Sequence, residues 1–186
     1  TVPAQYQAVY ETAQTMELLL AEGNNVAIVH GNGPQVGFIL RRAEIAKQYL
    51  HMVPLDSCVA DTQGALGYNI QLAVRNVLSK HGNPRPVTTV VTEVLVDRDD
   101  PSFIHPSKPI GSFMSREEAE QHRKNDGWDV YEDAGRGWRR VVPSPVPKEI
   151  LEVDVIRNLL ESGVITVAAG GGGLPVVRAE NGELAG

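Results

Sequence analysis

Three short runs of apolar residues that do not alternate with polar ones constrain this chain most. They are Val26-Ala27-Ile28-Val29-His30, the Val- and Thr-rich stretch from Val87 to Val96, and Val164-Ile165-Thr166-Val167-Ala168-Ala169. Strands that are apolar on successive residues are buried on both faces, as in a parallel sheet. Parallel strands need long crossovers, and helical periodicity fills the intervals. Tyr6, Val9, Tyr10, Ala13, Met16, Leu19 and Leu20 recur at three- and four-residue steps and stop at Gly23. Pro34 suits the opening of a second helix running to about Leu50. A longer one spans roughly Asp56 to Lys80 and closes at Gly82-Asn83-Pro84. A last helix, about Lys148 to Ser162, is capped by Gly163. The pattern predicts an α/β fold with helices on both faces of a sheet.

The rhythm is interrupted between Asp97 and Pro147, where six of the twelve prolines fall. A capping box, Ser115 with Glu118, opens a short helix there. Trp128–Glu132 and Trp138–Val142 read as hairpin arms around Ala134-Gly135-Arg136-Gly137. Residues 97–147 are therefore expected to form an inserted, protruding subdomain. Three strands make a narrow sheet for this architecture, and the chain opens on Thr1 without an initiator Met, so a segment of a longer protein is expected.

Composition removes several classes of function. Lys plus Arg number 17 against 23 Asp plus Glu, a net charge of −6, which disfavours a nucleic-acid groove or an anionic membrane surface. Apolar residues at 42% and charged residues at 22% fit a globular chain. The single cysteine, Cys58, excludes an internal disulfide and a cysteine-rich metal site, and suits a reducing cytoplasmic setting. No apolar run reaches membrane-spanning length and no signal peptide pattern is read. His30, His51, His81, His105 and His122 lack ligand spacing, so no metal site is predicted. Asp97, Asp99 and Asp100 before Pro101 read as a polar turn.

Two of the buried runs lead into glycines: His30-Gly31-Asn32-Gly33-Pro34-Gln35-Val36-Gly37, and Ala169 through Gly173. Glycines at the carboxyl end of a parallel strand let backbone N–H groups approach an anion, and a following helix adds its positive end. The plainer alternative is that these glycines only make tight turns. A Rossmann unit is disfavoured because a helix stands where its second strand belongs, and the Walker loop is absent. Lys108 sits in His105-Pro106-Ser107-Lys108-Pro109-Ile110-Gly111, a frame whose prolines restrict the backbone. Such a lysine is either an anion ligand or a surface charge. Arg136, Arg139 and Arg140 read as hairpin charges, and Gly64 and Gly67 as helix-packing glycines, against a second subunit among other possibilities.

Taken in order, His30 through Gly37, Pro106-Ser107-Lys108-Pro109-Ile110-Gly111, Glu132-Asp133-Ala134-Gly135-Arg136-Gly137-Trp138-Arg139 and Gly170-Gly171-Gly172-Gly173-Leu174-Pro175-Val176-Val177 resemble the motifs of carbamate kinases, in the amino acid kinase family. Asp61-Thr62-Gln63-Gly64 and Val142-Pro143-Ser144-Pro145 resemble its pattern too. The resemblance implies a three-layer αβα sandwich with a mainly parallel sheet. It also implies reversible phosphoryl transfer between carbamoyl phosphate with ADP and carbamate with ATP, using Mg²⁺, in a cytoplasmic homodimer whose contact lies near Gly64 and Gly67. Carried over by motif, Gly31, Asn32 and Gly33 hold carbamate and the transferred phosphoryl group, Gly170, Gly171, Gly172 and Gly173 lie against the phosphates, and Lys108 neutralises charge. The family's first strand and ATP-binding half are expected outside these 186 residues, leaving the piece inactive alone. Two rival readings are a non-catalytic carbamate-kinase-like assembly protein and a sister kinase for another small carboxylate.

Overall fold

A computed structural model describes residues 2–83 and 85–186. Thr1 and Pro84, the last residue of the expected helix stop, lie outside the described residues. In chain order the first elements are α1 (Val2–Thr15), α2 (Glu17–Ala21), β1 (Ala27–Ile28), α3 (Gly33–Ala46) and α4 (Leu55–Lys80). Then come β2 (Val87–Thr89), β3 (Glu93–Val96), β4 (Lys108–Met114), α5 (Arg116–Asp126), β5 (Asp129–Glu132) and β6 (Trp138–Val142). The remainder is β7 (Pro147–Ile150), α6 (Val153–Glu161), β8 (Ile165–Val167), β9 (Leu174–Arg178) and β10 (Leu184–Ala185). The chain divides into two compact units. One comprises Thr1–Asn32, Val59–Val94 and Ile150–Leu174; the other comprises Gly33–Cys58, Leu95–Glu149 and Pro175–Gly186.

The first unit is built on the three apolar runs. They form a parallel sheet in the order β1-β8-β2, with Ala27 and Thr88 both opposite Thr166. The central strand is buried at every position, as a strand covered on both faces must be. Leu20, Ala73, Val74, Val77, Leu78, Val87, Ile165 and Val167 form the core, and Val9, Tyr10 and Met16 pack on it. The expected single N-terminal helix is broken at Met16. Thr12 Oγ1 bonds Ala8 O and Thr15 Oγ1 bonds Thr12 O, side-chain bonds that bend a helix. Arg85 gathers carbonyls at the sheet's edge: its Nη1 bonds Leu20 O, its Nη2 Asn24 O and its Nε Gly163 O. Those carbonyls sit at helix ends and turns, where intrahelical donors run out.

Two boundaries differ from expectation because tertiary pairing outweighs local pattern. The Val87–Val96 run is two strands: β2 belongs to the parallel sheet, while β3 joins a four-stranded sheet in the order β10-β9-β3-β7. The helix expected from Lys148 begins only at Val153, and Pro147–Ile150 is strand. The backbone of Glu93 engages the next residues, its carbonyl taking Leu151 N–H and its N–H donating to Glu152 Oε2.

The second unit carries most of that four-stranded sheet and an antiparallel sheet in the order β4-β6-β5. The predicted hairpin is present, with Glu132 opposite Trp138 and a turn whose Ala134 has φ 47°. The capping box of α5 is complete: Ser115 Oγ accepts from Glu118 N–H and the Glu118 carboxylate from Ser115 N–H. Caps of this kind are worth about 1 kcal/mol. Helix α3 buries Val36, Leu40 and Ala43 and ends at Ala46, a turn short of Leu50. Strand β4 is an edge strand, which tolerates Pro109 because no ladder partner needs its missing N–H.

Candidate functional site

In the first unit the two glycine turns come together. Gly171 N–H donates to His30 O at 2.8 Å, so the second turn is hydrogen-bonded directly to the end of the first strand. The fit is close on both sides. A β-carbon on Gly170 would stand 2.5 Å from the His30 ring, and one on Gly171 would stand 2.6 Å from Asn32 Cγ. Asn32 is itself held, its amide donating to Thr62 Oγ1 at 2.9 Å, which donates on to Val59 O. On the far side a β-carbon on Gly173 would meet the buried Val94 at 2.5 Å.

The turns use their donors differently. In the second, Gly171 N–H goes to His30 O, Gly172 N–H to Ala169 O and Gly173 N–H to Gly170 O. Ala169 at φ 51° and three successive glycines at positive φ make that wrap possible, since β-carbons are strained there. In the first, among the described residues, no acceptor meets the N–H groups of Gly31 and Asn32. Gly33 opens α3, and N–H groups of a first helical turn have no intrahelical acceptor. Neither Gly31 nor Gly33 has positive φ, and a β-carbon on either would find nothing within 4 Å. Nothing among the described residues demands glycine at these two positions.

The other sequence candidates lie in the second unit. Lys108 is exposed at the start of β4, opposite Val142, and among the described residues its side chain makes no hydrogen bond or ion pair. Gly37, the last glycine of its motif, faces the backbone of Gly111, with a β-carbon at an ordinary 3.6 Å. The hairpin arginines are engaged within the second unit: Arg136 pairs with Asp133 at 2.8 Å, and Arg139 donates to Gly111 O where β4 bulges. The bond from Arg136 is the main reason the Asp133 carboxyl titrates below its ordinary range. His122 stacks on Trp128 at 4.0 Å and bonds Asp126, whose other oxygen takes Lys47 at 2.5 Å. Those partners, Lys47 first, hold the Asp126 carboxyl low. A cleft beside them, walled by Leu40, Phe113, Trp128 and Arg140, is lined by none of the predicted site residues.

The aspartates before Pro101 form the expected turn. Asp97 pairs with Lys148, and Asp100 accepts from Ser102 and Val146 N–H. Gly67 packs against Thr89 of its own chain, where a β-carbon would lie 2.9 Å from Oγ1, so a subunit contact is not what requires it. Gly64 is exposed and open. Sequence reasoning passed over Thr92 and Gln63 as site residues. Both are buried polar side chains beside the second turn, and only the fold brings them there.

In α/β folds, a buried parallel strand that ends in a glycine turn with unused backbone donors is the kind of place where anions bind. Comparison with known proteins narrows the class. The chain is 50% identical over 186 residues to carbamate kinase-like protein YahI of Escherichia coli K12, covering 98% of this chain and 58% of YahI. It is 48% identical to the carbamate kinase of Pyrococcus horikoshii, with 100% of this chain and 60% of that protein covered. The structure of Giardia lamblia carbamate kinase bound to AMP-PNP superposes with a TM-score of 0.90 at 38% identity, covering all of this chain and 59% of the other. No protein-family model matches the chain. The chain is homologous to part of the length of carbamate kinases and has their α/β fold. It spans a little under two thirds of the relatives it matches.

Proposed function

We propose that the protein carrying this sequence is a carbamate kinase, transferring a phosphoryl group reversibly between carbamoyl phosphate with ADP and carbamate with ATP. The observation that carries this reading is the first turn: free N–H groups on Gly31 and Asn32, beside glycines that no packing explains. Backbone donors suit the transferred group, whose transition state spreads charge over three oxygens, and they need no reorganisation as charge develops. Gly33 extends the row of donors. Gly170, Gly171, Gly172 and Gly173 then form a floor that shapes the site, since the last three have committed their N–H groups within the protein. Lys108, unpaired on β4, is assigned the compensating positive charge.

The residues present fit a phosphoryl group; they do not make a metal centre. Among the described residues no cluster of three or more His, Cys, Asp or Glu stands ready to hold a cation. We assign Mg²⁺ and the nucleotide to parts of the longer relatives that have no counterpart here. No helix among the described residues is long and apolar enough to cross a membrane. A cytoplasmic homodimer is part of the proposal, meeting through the outer face of α4, where Gly64 is open and Tyr68 is 61% exposed.

The test is ATP formation from carbamoyl phosphate and ADP by the whole protein that carries this sequence, with phosphorylation of acetylglutamate and aspartate measured alongside. Activity confined to the carbamate pair is expected; preference for another carboxylate, or none at all, overturns the assignment. Lys108→Ala should lower turnover about 10²–10³-fold, the usual cost of removing one preorganised charge donor, while leaving the melting temperature in place. An unchanged rate removes Lys108 from the site.

A further inference from the structure

Gln63 has no part in the reaction proposed above, yet it is among the most buried polar residues, 1% exposed. Its carboxamide is fully engaged. Oε1 accepts from Thr92 N–H at 2.8 Å, and Nε2 donates to Thr92 O at 3.2 Å and Gly170 O at 3.0 Å. By pairing with both backbone groups of Thr92, the side chain acts as a neighbouring strand where β2 has ended and β3 has not begun. Thr92 hands the constraint onward. Its Oγ1 accepts from Ala169 N–H at 2.8 Å and its carbonyl from Leu174 N–H at 2.9 Å. The residues on either side of the glycine run thus both hang on Thr92, and the first glycine hangs on Gln63. An apolar side chain of the same volume would fill this space without the cost of burying an amide, so packing alone does not call for glutamine.

We propose that Gln63 is a positioning residue for phosphoryl transfer, holding the Gly170–Gly173 turn in register against the His30–Asn32 turn. The inference rests on the reading of those turns as the phosphate site. It concerns a group that touches no substrate and acts through Thr92 and Gly170. Ala169 at φ 51° is the strained point that such a clamp must hold, because non-glycine residues stay there only when their surroundings insist.

Two variants of the whole protein that carries this sequence test it. Gln63→Met keeps the volume and loses all three bonds. Gln63→Glu keeps the acceptor for Thr92 N–H but sets an anionic oxygen against two carbonyls. Burial and those carbonyls push the new carboxyl's pKa upward, and protonation returns one donor. The expected kcat for ATP formation from carbamoyl phosphate falls about 10- to 100-fold in both, the range seen for supporting residues one layer out, with KM for carbamoyl phosphate moved less than about threefold. In Gln63→Glu the loss should shrink between about pH 8 and about pH 6, a recovery that neither Gln63→Met nor the parent shows. A Gln63→Glu profile parallel to the parent's, or a Gln63→Met with parental kcat, overturns the proposal. Should the parent make no ATP, the kinase reading fails, and hydrogen exchange then decides the positioning claim. Faster exchange at Gly171, Gly172 and Gly173 N–H in Gln63→Glu, with Val74 and Val77 unchanged, supports it. Unchanged exchange, or a rise spread evenly over the unit, overturns it.

Discussion

The turn after β1 and the turn after β8 read alike in sequence, each a buried strand running into glycines, and they are opposites in structure. The glycines after β8 are required by the protein itself: Gly171, Gly172 and Gly173 take positive φ, and Gly170, Gly171 and Gly173 leave no room for a β-carbon beside His30, Asn32 and Val94. Those after β1 have ordinary φ and open space, with backbone donors that no described residue uses. A glycine run is therefore not one signal. Where neighbours explain it, the run is architecture; where they do not, the glycines leave backbone donors open.

Alanine separates the two cases. The largest effect is expected at Gly173→Ala, which combines a strained φ of +88° with the buried Val94 side chain; a loss of about 2–4 kcal/mol should appear in urea unfolding. An effect under about 1 kcal/mol would break the contrast. Gly170→Ala is milder, about 1–2 kcal/mol, since its φ is ordinary and the His30 ring can swing away by giving up its 3.1 Å contact with Gly31 O. A shift of the His30 ring resonances should accompany it. Gly31→Ala should leave stability within about 0.5 kcal/mol while lowering phosphoryl transfer about tenfold or more, as the new methyl intrudes on the ligand. Stability lost there instead would show that the first turn is architecture too.

Acid provides the smallest and most selective probe, because neither turn contains a carboxylate. The carboxyls held low are in the second unit: Asp97, Asp100 and Glu118, with Asp126 beside Lys47 and His122 and Asp133 beside Arg136. A folded pKa below the unfolded one adds stability that is present above the unfolded value and lost as pH falls through the folded one. Asp126 should therefore contribute above about pH 4 and lose that contribution below it. Asp126→Asn should flatten the acid limb of a pH–stability curve, with no change at Gly171–Gly173 in hydrogen exchange. An acid limb that keeps its slope would place the acid-sensitive groups elsewhere.

Much of the fold was legible because it is written in local terms. Ser115 and Glu118 cap α5 wherever that helix is placed, and the Glu132–Trp138 hairpin closes through its own turn. Unalternating strands announced a parallel sheet, and the three runs pair as one. The boundaries that failed, at Val90–Thr92 and at Lys148–Leu151, fail because their hydrogen bonds are made with distant segments: Gln63 for one, Glu93 for the other. Periodicity carries no record of such partners.

Residue types along the chain by themselves determined the α/β class, the hairpin, the glycine turns and the proline-framed Lys108, since each follows from backbone freedom or side-chain pattern within a few residues. Only the tertiary structure decided which glycine turn has donors to spare, that His30 and Asn32 abut Gly170 and Gly171, and that Gln63 and Thr92 fasten the arrangement from inside. The reason is physical. Whether an N–H is free, or a β-carbon has room, depends on atoms contributed by residues far away in sequence, and those arrive only when the chain has folded.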